Sequence, residues 1–209
     1  MIDAGAVSPT APVTRTGGVP LAPAETPWPC CASCSGPMQF LAQVVLDDLQ
    51  DGPEHRGFLA LFACQNDPGM CGDWERDSGG NQALLFPADG LEPLAQPADD
   101  VDEALLLLGS VRAVSLVQMD QPDYDQAGEE WTARSDRPRS SVLGQLGGEP
   151  AWIQNDETPS CPSCALPMPL IVQLEEGPDH STAMNFGGCG SGYAFACEPC
   201  GHAKLLWQC

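Results

Sequence analysis

The sequence predicts an α+β fold dominated by β-strands. Two pseudo-symmetric repeats, each a cysteine knuckle followed by a hairpin, flank a connecting segment that contains a strand. Three observations predict this fold. The chain repeats itself at an offset of 130 residues, as from Cys31 to Cys161, and both copies carry paired cysteines. The apolar runs between those pairs are short and lack the 3.6-residue period of an amphipathic helix.

The duplication appears as a series of features that recur in the same order. In the first and second copies they are Gly17-Gly18-Val19-Pro20 and Gly147-Gly148-Glu149-Pro150, Cys31-Ala-Ser-Cys34 and Cys161-Pro-Ser-Cys164, Pro37-Met38 and Pro167-Met168, Gln43 and Gln173, Asp51-Gly-Pro-Glu-His55 and Glu176-Gly-Pro-Asp-His180, and Phe62-Ala-Cys64 and Phe195-Ala-Cys197. So many matches with small changes of offset indicate two copies of one supersecondary unit.

Each repeat is predicted to form a hairpin between its cysteine pairs. The first pair precedes a run of β-forming residues, at 39–46 in repeat 1 and 169–174 in repeat 2. A Gly-Pro turn follows, and a returning strand at 57–63 or 191–196 leads to the second pair. The two strands of a hairpin bring its open ends together, so the two cysteine pairs of one repeat are expected to meet.

The composition divides the chain into four segments. Residues 1–16 are expected to be a poorly ordered terminus, 17–87 form repeat 1, 88–142 form an acidic connector, and 143–209 form repeat 2. The connector is predicted to contain one or two strands: residues 111–119 alternate apolar and polar as a strand does, and 101–108 is a short apolar stretch. Residues 120–130 and 132–141 are polar and are predicted to be loops.

The paired cysteines predict two structural zinc-knuckle sites. A Cys-x-x-Cys turn presents two thiolates at a separation that suits tetrahedral zinc, and a second pair completes a four-thiolate shell. The first site is predicted from Cys31, Cys34, Cys64 and Cys71, and the second from Cys161, Cys164, Cys197 and Cys200. Buried free thiols are the alternative. A four-thiolate site has no open position for substrate, so two Zn²⁺ ions with a structural role are expected.

The remaining cysteines have no partner in the repeat pattern. Cys30, Cys189 and Cys209 lack a counterpart in the other copy and are left unassigned. The chain shows neither a signal peptide nor an apolar run long enough to span a bilayer, so a reducing, cytoplasmic location is expected. Disulfides are not expected there, and paired cysteines are then more often metal ligands.

The charge of the chain predicts its class of partner. Asp and Glu number 29 against 8 Lys and Arg, for a formal net charge of -21. Such a surface repels nucleic-acid phosphates and anionic lipids, and it attracts basic proteins. A protein partner is therefore expected, with no nucleic acid and no membrane. Solubility alone is the other explanation of the acidity.

Catalytic motifs are not apparent in the sequence. The histidines, His55, His180 and His202, begin no metalloprotease or deaminase signature, and no phosphate-binding loop or nucleophile elbow occurs. His55 and His180 match across the repeats, which favours a structural role. The protein is therefore not expected to be an enzyme. A hydrolase or RNA-processing enzyme that uses an acidic cleft remains the alternative, because carboxylates are plentiful.

Several of these motifs resemble the superfamily of programmed cell death protein 2, which also includes the yeast ribosome-biogenesis factor Tsr and the bacterial YwqG-like proteins. The resemblance covers about 17–74 and 144–208. The residues that carry it are Cys31, Cys34, Pro37, Met38, Phe40, Leu41, Gln43, His55, Arg56, Phe62 and Cys64 in repeat 1, and Gly147, Gly148, Pro150 and Trp152 in repeat 2. Residues 72–81 replace the arginine-rich segment of the eukaryotic pattern, so the chain looks closer to the bacterial branch.

The resemblance implies a non-enzymatic role. Eukaryotic members are dedicated chaperones of a basic ribosomal protein, and some bacterial relatives are thought to be immunity proteins against toxins. The expectation for this chain is a zinc-stabilised, acidic binding protein that sequesters or neutralises a protein partner, either a toxin or a ribosomal protein.

Overall fold

The protein is described by a computed structural model that covers residues 1–49, 56–97, 109–178 and 184–209. Twelve strands and one α-helix occur in this part of the chain. In chain order they are β1 (Ile2–Ala6), β2 (Arg15–Thr16), β3 (Leu21–Pro23), β4 (Gln39–Val45), β5 (Phe58–Ala63), β6 (Asn81–Phe86), β7 (Leu91–Pro93), β8 (Arg112–Ser115), α1 (Tyr124–Ser135), β9 (Gly144–Leu146), β10 (Leu170–Glu175), β11 (Ser191–Cys197) and β12 (His202–Gln208). The prediction of a β-dominated α+β fold with two repeats is confirmed.

The strands form two main antiparallel sheets, one for each repeat. The first sheet has the order β1-β8-β2-β4-β5-β6, and the second has the order β12-β11-β10-β9. A short pair, β3 and β7, forms a third sheet. The predicted hairpins are β4–β5 and β10–β11. Each hairpin gains a further antiparallel strand after its second cysteine pair, β6 in repeat 1 and β12 in repeat 2, which the sequence analysis did not predict.

The two sheets share one apolar core. The largest cluster of buried side chains takes members from both repeats, among them Leu41, Leu59 and Leu61 from the first sheet and Val172 and Leu205 from the second. Burial of each such side chain stabilises the fold by about 1.5–3 kcal/mol relative to its exposure to water. The repeats therefore stabilise each other instead of folding as separate units.

The hydrogen bonds repeat with the same offset as the sequence, and this explains why the matched residues recur. A buried glutamine of each hairpin, Gln43 or Gln173, accepts a backbone N–H from the segment after the Gly-Gly pair through its Oε1 atom. The matched bonds are Leu21 N to Gln43 Oε1 (3.0 Å) and Ala151 N to Gln173 Oε1 (2.9 Å), and Gly17 N to Leu41 O (2.8 Å) and Gly147 N to Ile171 O (2.9 Å). The two repeats are thus built to one plan.

The prediction of loops at 120–130 and 132–141 is wrong for residues 124–135, which form α1. Asp123 caps the helix, since its Oδ1 accepts the N–H of Gln126 at 2.9 Å. Tyr124, Gly128 and Trp131 are buried at i, i+4 and i+7, a single narrow stripe that packs on the rest of the protein. The other positions are mostly charged or polar, and this masked the helical period in the sequence.

The N-terminal residues are also better ordered than predicted. Residues 2–6 form β1 at the edge of the first sheet, where they pair with β8. A bidentate ion pair between Asp3 and Arg112 joins the two strands. The predicted connector strand at 111–119 is present but shorter, as β8. The apolar stretch 101–108 lies outside the described residues.

Polar contacts join the repeats at two places around the core. Arg56, near the start of β5, forms a bidentate ion pair with Glu198, which lies between two cysteines of repeat 2. In addition, the Trp207 ring of β12 meets Trp74 edge-on and donates its Nε1–H to Asp73 Oδ2 at 3.1 Å. In the described residues, no helix is both long and apolar enough to cross a membrane.

Candidate metal centres

Both predicted sets of cysteines come together in the structure. In repeat 1, the turn at Cys31 and Cys34 lies before β4, whereas Cys64 follows β5 and Cys71 lies in the loop before β6. Their four sulfur atoms lie within 4.8 Å of one another. The hairpin produces this cluster because it returns the chain to the level at which it started.

The second cluster repeats this arrangement. Cys161 and Cys164 lie before β10, Cys197 is the last residue of β11, and Cys200 ends the short 3₁₀ turn that leads into β12. Again the four sulfur atoms lie within 4.8 Å of one another. All the cysteines are free thiols, so neither cluster is held by a disulfide.

A tight turn with a left-handed residue shapes each knuckle. Ser35 and Ala165 have φ values of 61° and 60°, and each donates its backbone N–H to the carbonyl of the first cysteine. The corresponding N–H of that cysteine donates back across the turn, from Cys31 to Gly36 at 2.9 Å and from Cys161 to Leu166 at 2.8 Å. These bonds place both thiols of a pair on the same side of the turn.

The sulfur separations fit a tetrahedral cation. Metal–sulfur bonds of about 2.3 Å at tetrahedral angles place neighbouring sulfur atoms about 3.8 Å apart. The Cys34 and Cys64 sulfur atoms are separated by 3.7 Å, and those of Cys164 and Cys197 by 3.8 Å. Four soft thiolate donors without an oxygen ligand suit zinc or another soft divalent ion. The two clusters are therefore compatible with metal binding.

The electrostatics of the first cluster also favour a cation. Burial alone would raise the pKa of Cys34, but N–H groups of Asn66 and Gly36 donate to its sulfur and lower the pKa to about 7. Burial raises the pKa of Cys64 to about 11, and burial together with its cysteine neighbours raises the pKa of Cys71. Without a cation, four thiolates so close together would repel one another, and a divalent ion removes that cost.

The second cluster shows the same division between its thiols. The pKa of Cys161 is lowered to about 7: burial opposes this shift, but the backbone N–H groups of Cys164 and Ser163 outweigh it. Hydrogen bonds to Cys197 and Cys164, together with burial, raise the pKa of Cys200 to about 12. Because bound ligands must be deprotonated, metal uptake by both clusters is expected to release protons.

Asn66 and His202 lie beside the clusters, and the sequence analysis assigned neither of them a role there. The Asn66 Nδ2 atom lies 3.4 Å from the Cys34 sulfur, 3.5 Å from the Cys64 sulfur and 3.2 Å from the Pro37 carbonyl. In repeat 2, His202 Nε2 lies 2.7 Å from the hydroxyl of Ser163. Both lie two residues after a cysteine, and that proximity is the signal that could have identified them.

The unassigned residues stay outside the two clusters. Cys30, Cys189 and Cys209 are exposed thiols that belong to neither group. His55 and His180, for which a shared structural role was predicted, lie outside the described residues. Because all four positions of each cluster are occupied by thiols, the clusters have the form of structural sites and leave no coordination position for a substrate.

A separate groove of about 700 Å³ lies between the repeats, beside α1. We refer to it as the β9 groove, because one wall is formed by β9 and the Gly147–Gly148 turn that follows. Its other walls include residues 116–119, which continue from β8, and the buried face of α1. Apolar and amide side chains dominate its lining, and Asp48 is the charged side chain among the described lining residues.

These features define a β-rich protein with two four-cysteine lobes around one core. A comparison with family profiles places the chain more specifically. It belongs to the family described as domain of unknown function (DUF1963), whose profile matches residues 14–199. It is also similar to the uncharacterized protein YpfL of Salmonella typhimurium, with 34% identity over 72 residues. That match covers 32% of this chain and 15% of YpfL.

Proposed function

We propose that this protein is a non-catalytic, acidic binding protein, stabilised by two structural zinc ions, that sequesters or neutralises a basic protein partner. The supporting observation is the way its basic side chains are engaged. Of the 8 Lys and Arg residues, six pair with carboxylates of the same chain, namely Arg56, Arg76, Arg112, Arg134, Arg139 and Lys204.

The other two basic residues are also occupied. Arg15 is fully buried and donates to the backbone carbonyls of Ala11, Gly17 and Val19, and Arg137 donates to the carbonyl of Asp3. Intramolecular contacts therefore engage all eight Lys and Arg side chains, and the 29 Asp and Glu residues leave the chain with a formal net charge of -21. The resulting field attracts a cationic protein and accelerates its encounter with this one.

The resemblance described above extends this proposal to the kind of protein that is bound. The duplicated knuckle and hairpin support a relationship to the programmed cell death protein 2, Tsr and YwqG-like superfamily. A role like that of the members of this superfamily would make the partner of this chain either a toxin or a newly made ribosomal protein. Free thiols in every described cysteine fit a reducing, cytoplasmic compartment.

The enzymatic alternative would require a cluster of carboxylates in an open cleft. Asp48 lines the β9 groove, but its Oδ2 atom accepts the hydroxyl of Thr14 at 2.5 Å. Burial raises the pKa of Asp73, but this residue is enclosed between the repeats and is 1% exposed. Neither carboxylate is part of an acid–base pair, so binding is the better-supported function.

Native mass spectrometry of the protein isolated gently from its host at low salt tests this proposal. We expect two zinc ions per chain and a co-purifying protein rich in Lys and Arg, whose release increases steeply with salt concentration. The identity of that protein distinguishes a toxin from a ribosomal client. A partner-free monomer at low salt, or a partner that salt does not release, would contradict the proposal.

A further inference from the structure

The two repeats differ at one edge of their sheets. In repeat 1, β2 lies between β4 and β8, with Arg15 opposite Ala113 and Thr16 opposite Arg112 on the β8 side. The equivalent strand of repeat 2 is β9, which pairs with β10 in the same register as β2 with β4. No described strand pairs with the other side of β9, so it ends its sheet.

The hydrogen bonds between β9 and β10 show which backbone N–H and C=O groups of β9 do not bond to β10. Gly147 donates its N–H to Ile171 O at 2.9 Å, and Glu175 donates to Leu143 O at 3.1 Å. Antiparallel pairing alternates between inward and outward residues, so the N–H and C=O of Leu146 point away from β10. Among the described residues, no backbone or side-chain group bonds to them. The N-terminal residues cover the start of this edge: Met1 N donates to Gly144 O, Met1 O accepts the N–H of Leu143, and Ile2 forms an antiparallel bridge with Val142.

The open edge forms one wall of the β9 groove. Residues 116–119 also line this groove, and Leu116 and Val117 are 47% and 44% exposed. Met119 and Trp131 add further apolar side chains to the lining. Such a groove matches an extended strand whose alternate side chains enter the apolar space while its backbone bonds to the edge. β8 fills the equivalent position in repeat 1.

The charge around the groove selects the kind of strand. No Lys or Arg side chain is among the described lining residues. Acidic residues are adjacent in sequence to lining residues. Asp120 and Asp123 lie next to the lining residues of 119–124, and Glu149 directly follows the lining residue Gly148. The cationic groups near the groove are already engaged. The α-amino group of Met1, whose pKa burial lowers to about 6, donates to Gly144 O at 2.8 Å, and Arg139 pairs with Asp125 and Glu175. An occupying strand with basic side chains directed outward would therefore be complementary to the rim.

We propose that an extended segment of a basic protein, with alternating apolar and basic residues, binds as an added antiparallel strand on β9. The inference rests on the proposed binding function and assigns its surface. The bound segment takes the place that β8 has beside β2, with backbone bonds at Leu146, apolar side chains in the groove and cationic side chains at the acidic rim. A second copy of this chain is disfavoured, because each copy carries a net charge of -21.

Two capped peptides with the same composition test the mode of binding. One alternates lysine and valine over eight residues, and the other carries the lysines in one block and the valines in the next. We expect the alternating peptide to bind at least about tenfold more tightly, since only it can place every valine in the groove. At saturation, the Leu146 amide is expected to exchange its hydrogen at least about tenfold more slowly, as measured by NMR.

A pair of charge variants tests the rim. Asp120→Asn combined with Asp123→Asn should weaken binding by about threefold or more while keeping the helix cap, because asparagine also caps helices well. Asp89→Asn combined with Glu92→Gln removes the same charge beside and within β7, outside the groove, and should leave affinity unchanged.

Three outcomes would overturn the inference. The first is equal affinity for the two peptides, and the second is binding without protection of the Leu146 amide. The third is no binding of either peptide at roughly millimolar concentration, a range in which even weak specific contacts are detectable. If a basic partner still co-purifies in any of these cases, the binding function survives and only the β9 assignment fails. Dimerisation that protects Leu146 without peptide would assign the edge to a second copy instead.

Discussion

Removing the ion pair between Arg56 and Glu198 tests how firmly the two repeats are joined. The guanidinium holds both carboxylate oxygens, with Nε at 2.9 Å from Oε2, and its Nη1 donates to Leu46 O at 2.9 Å. The hydrogen bond to Glu198 raises the pKa of Arg56. The two residues are far apart in sequence, so this contact exists only when both repeats are folded together.

The exposure of the pair sets the expected magnitude. The Arg56 side chain is 11% exposed and that of Glu198 is 29% exposed. Fully exposed pairs contribute about 0.2–1 kcal/mol, whereas breaking a buried pair costs about 3–5 kcal/mol. This partly buried bidentate pair lies between the two limits, so we expect a coupling of about 2 kcal/mol.

A double-mutant cycle measures that coupling. Arg56→Gln, Glu198→Gln and the double variant would be unfolded in urea with tryptophan fluorescence, at constant zinc and under reducing conditions. Each single change should cost about 2 kcal/mol, and the double variant little more, because the same contact is lost in all three. The exposed pair of Arg134 and Glu130 is a matched control, for which about 0.5 kcal/mol or less is expected.

A coupling below about 0.5 kcal/mol for Arg56 and Glu198 would refute the argument, because it would equal that of an exposed helical pair. The zinc content of each variant would be measured alongside, since Glu198 stands between Cys197 and Cys200. Loss of zinc together with stability would show that the ion pair also holds the second knuckle in place.

The remaining predictions concern the metal content and the titration of the protein. Cys31→Ser and Cys161→Ser should each remove one of two bound zinc ions and destabilise the fold, whereas the control Cys189→Ser should retain both ions. Elemental analysis of the purified variants measures the zinc content. Unchanged zinc in Cys31→Ser and Cys161→Ser would exclude the assignment of the two sites. Burial raises the pKa of Tyr193 to about 12 and, with Glu175 beside it, raises the pKa of Tyr124 still further. The folded state therefore keeps protons that the unfolded state loses near pH 10, so this contribution to stability is present below pH 10 and is lost as the pH rises towards 12. Tyrosinate absorbance at 295 nm should stay low up to about pH 11 in the folded protein and appear near pH 10 in urea, and ionisation near pH 10 in both states would contradict the burial of these two rings.

The repeat architecture and the two cysteine clusters could be predicted because their information is local. A knuckle requires two cysteines three residues apart with a suitable turn, and an antiparallel hairpin then determines which pairs meet. The duplication supports each assignment. Cys31 matches Cys161 at the offset of 130 residues, whereas Cys30 matches no cysteine in the other repeat. The structure places the chosen cysteine in the cluster and the other on the surface.

The order of the strands and the contacts between the repeats depended on the tertiary structure. No local pattern shows that β8 covers β2 and leaves β9 open, because each pairing joins segments far apart in the chain. Helix α1 was missed for a related reason, since its one buried stripe has meaning only against the surface on which it packs. The sequence alone therefore determined the two lobes through short-range chemistry. Tertiary packing decided how they join and which edge remains open, because long-range contacts have no fixed spacing in the sequence.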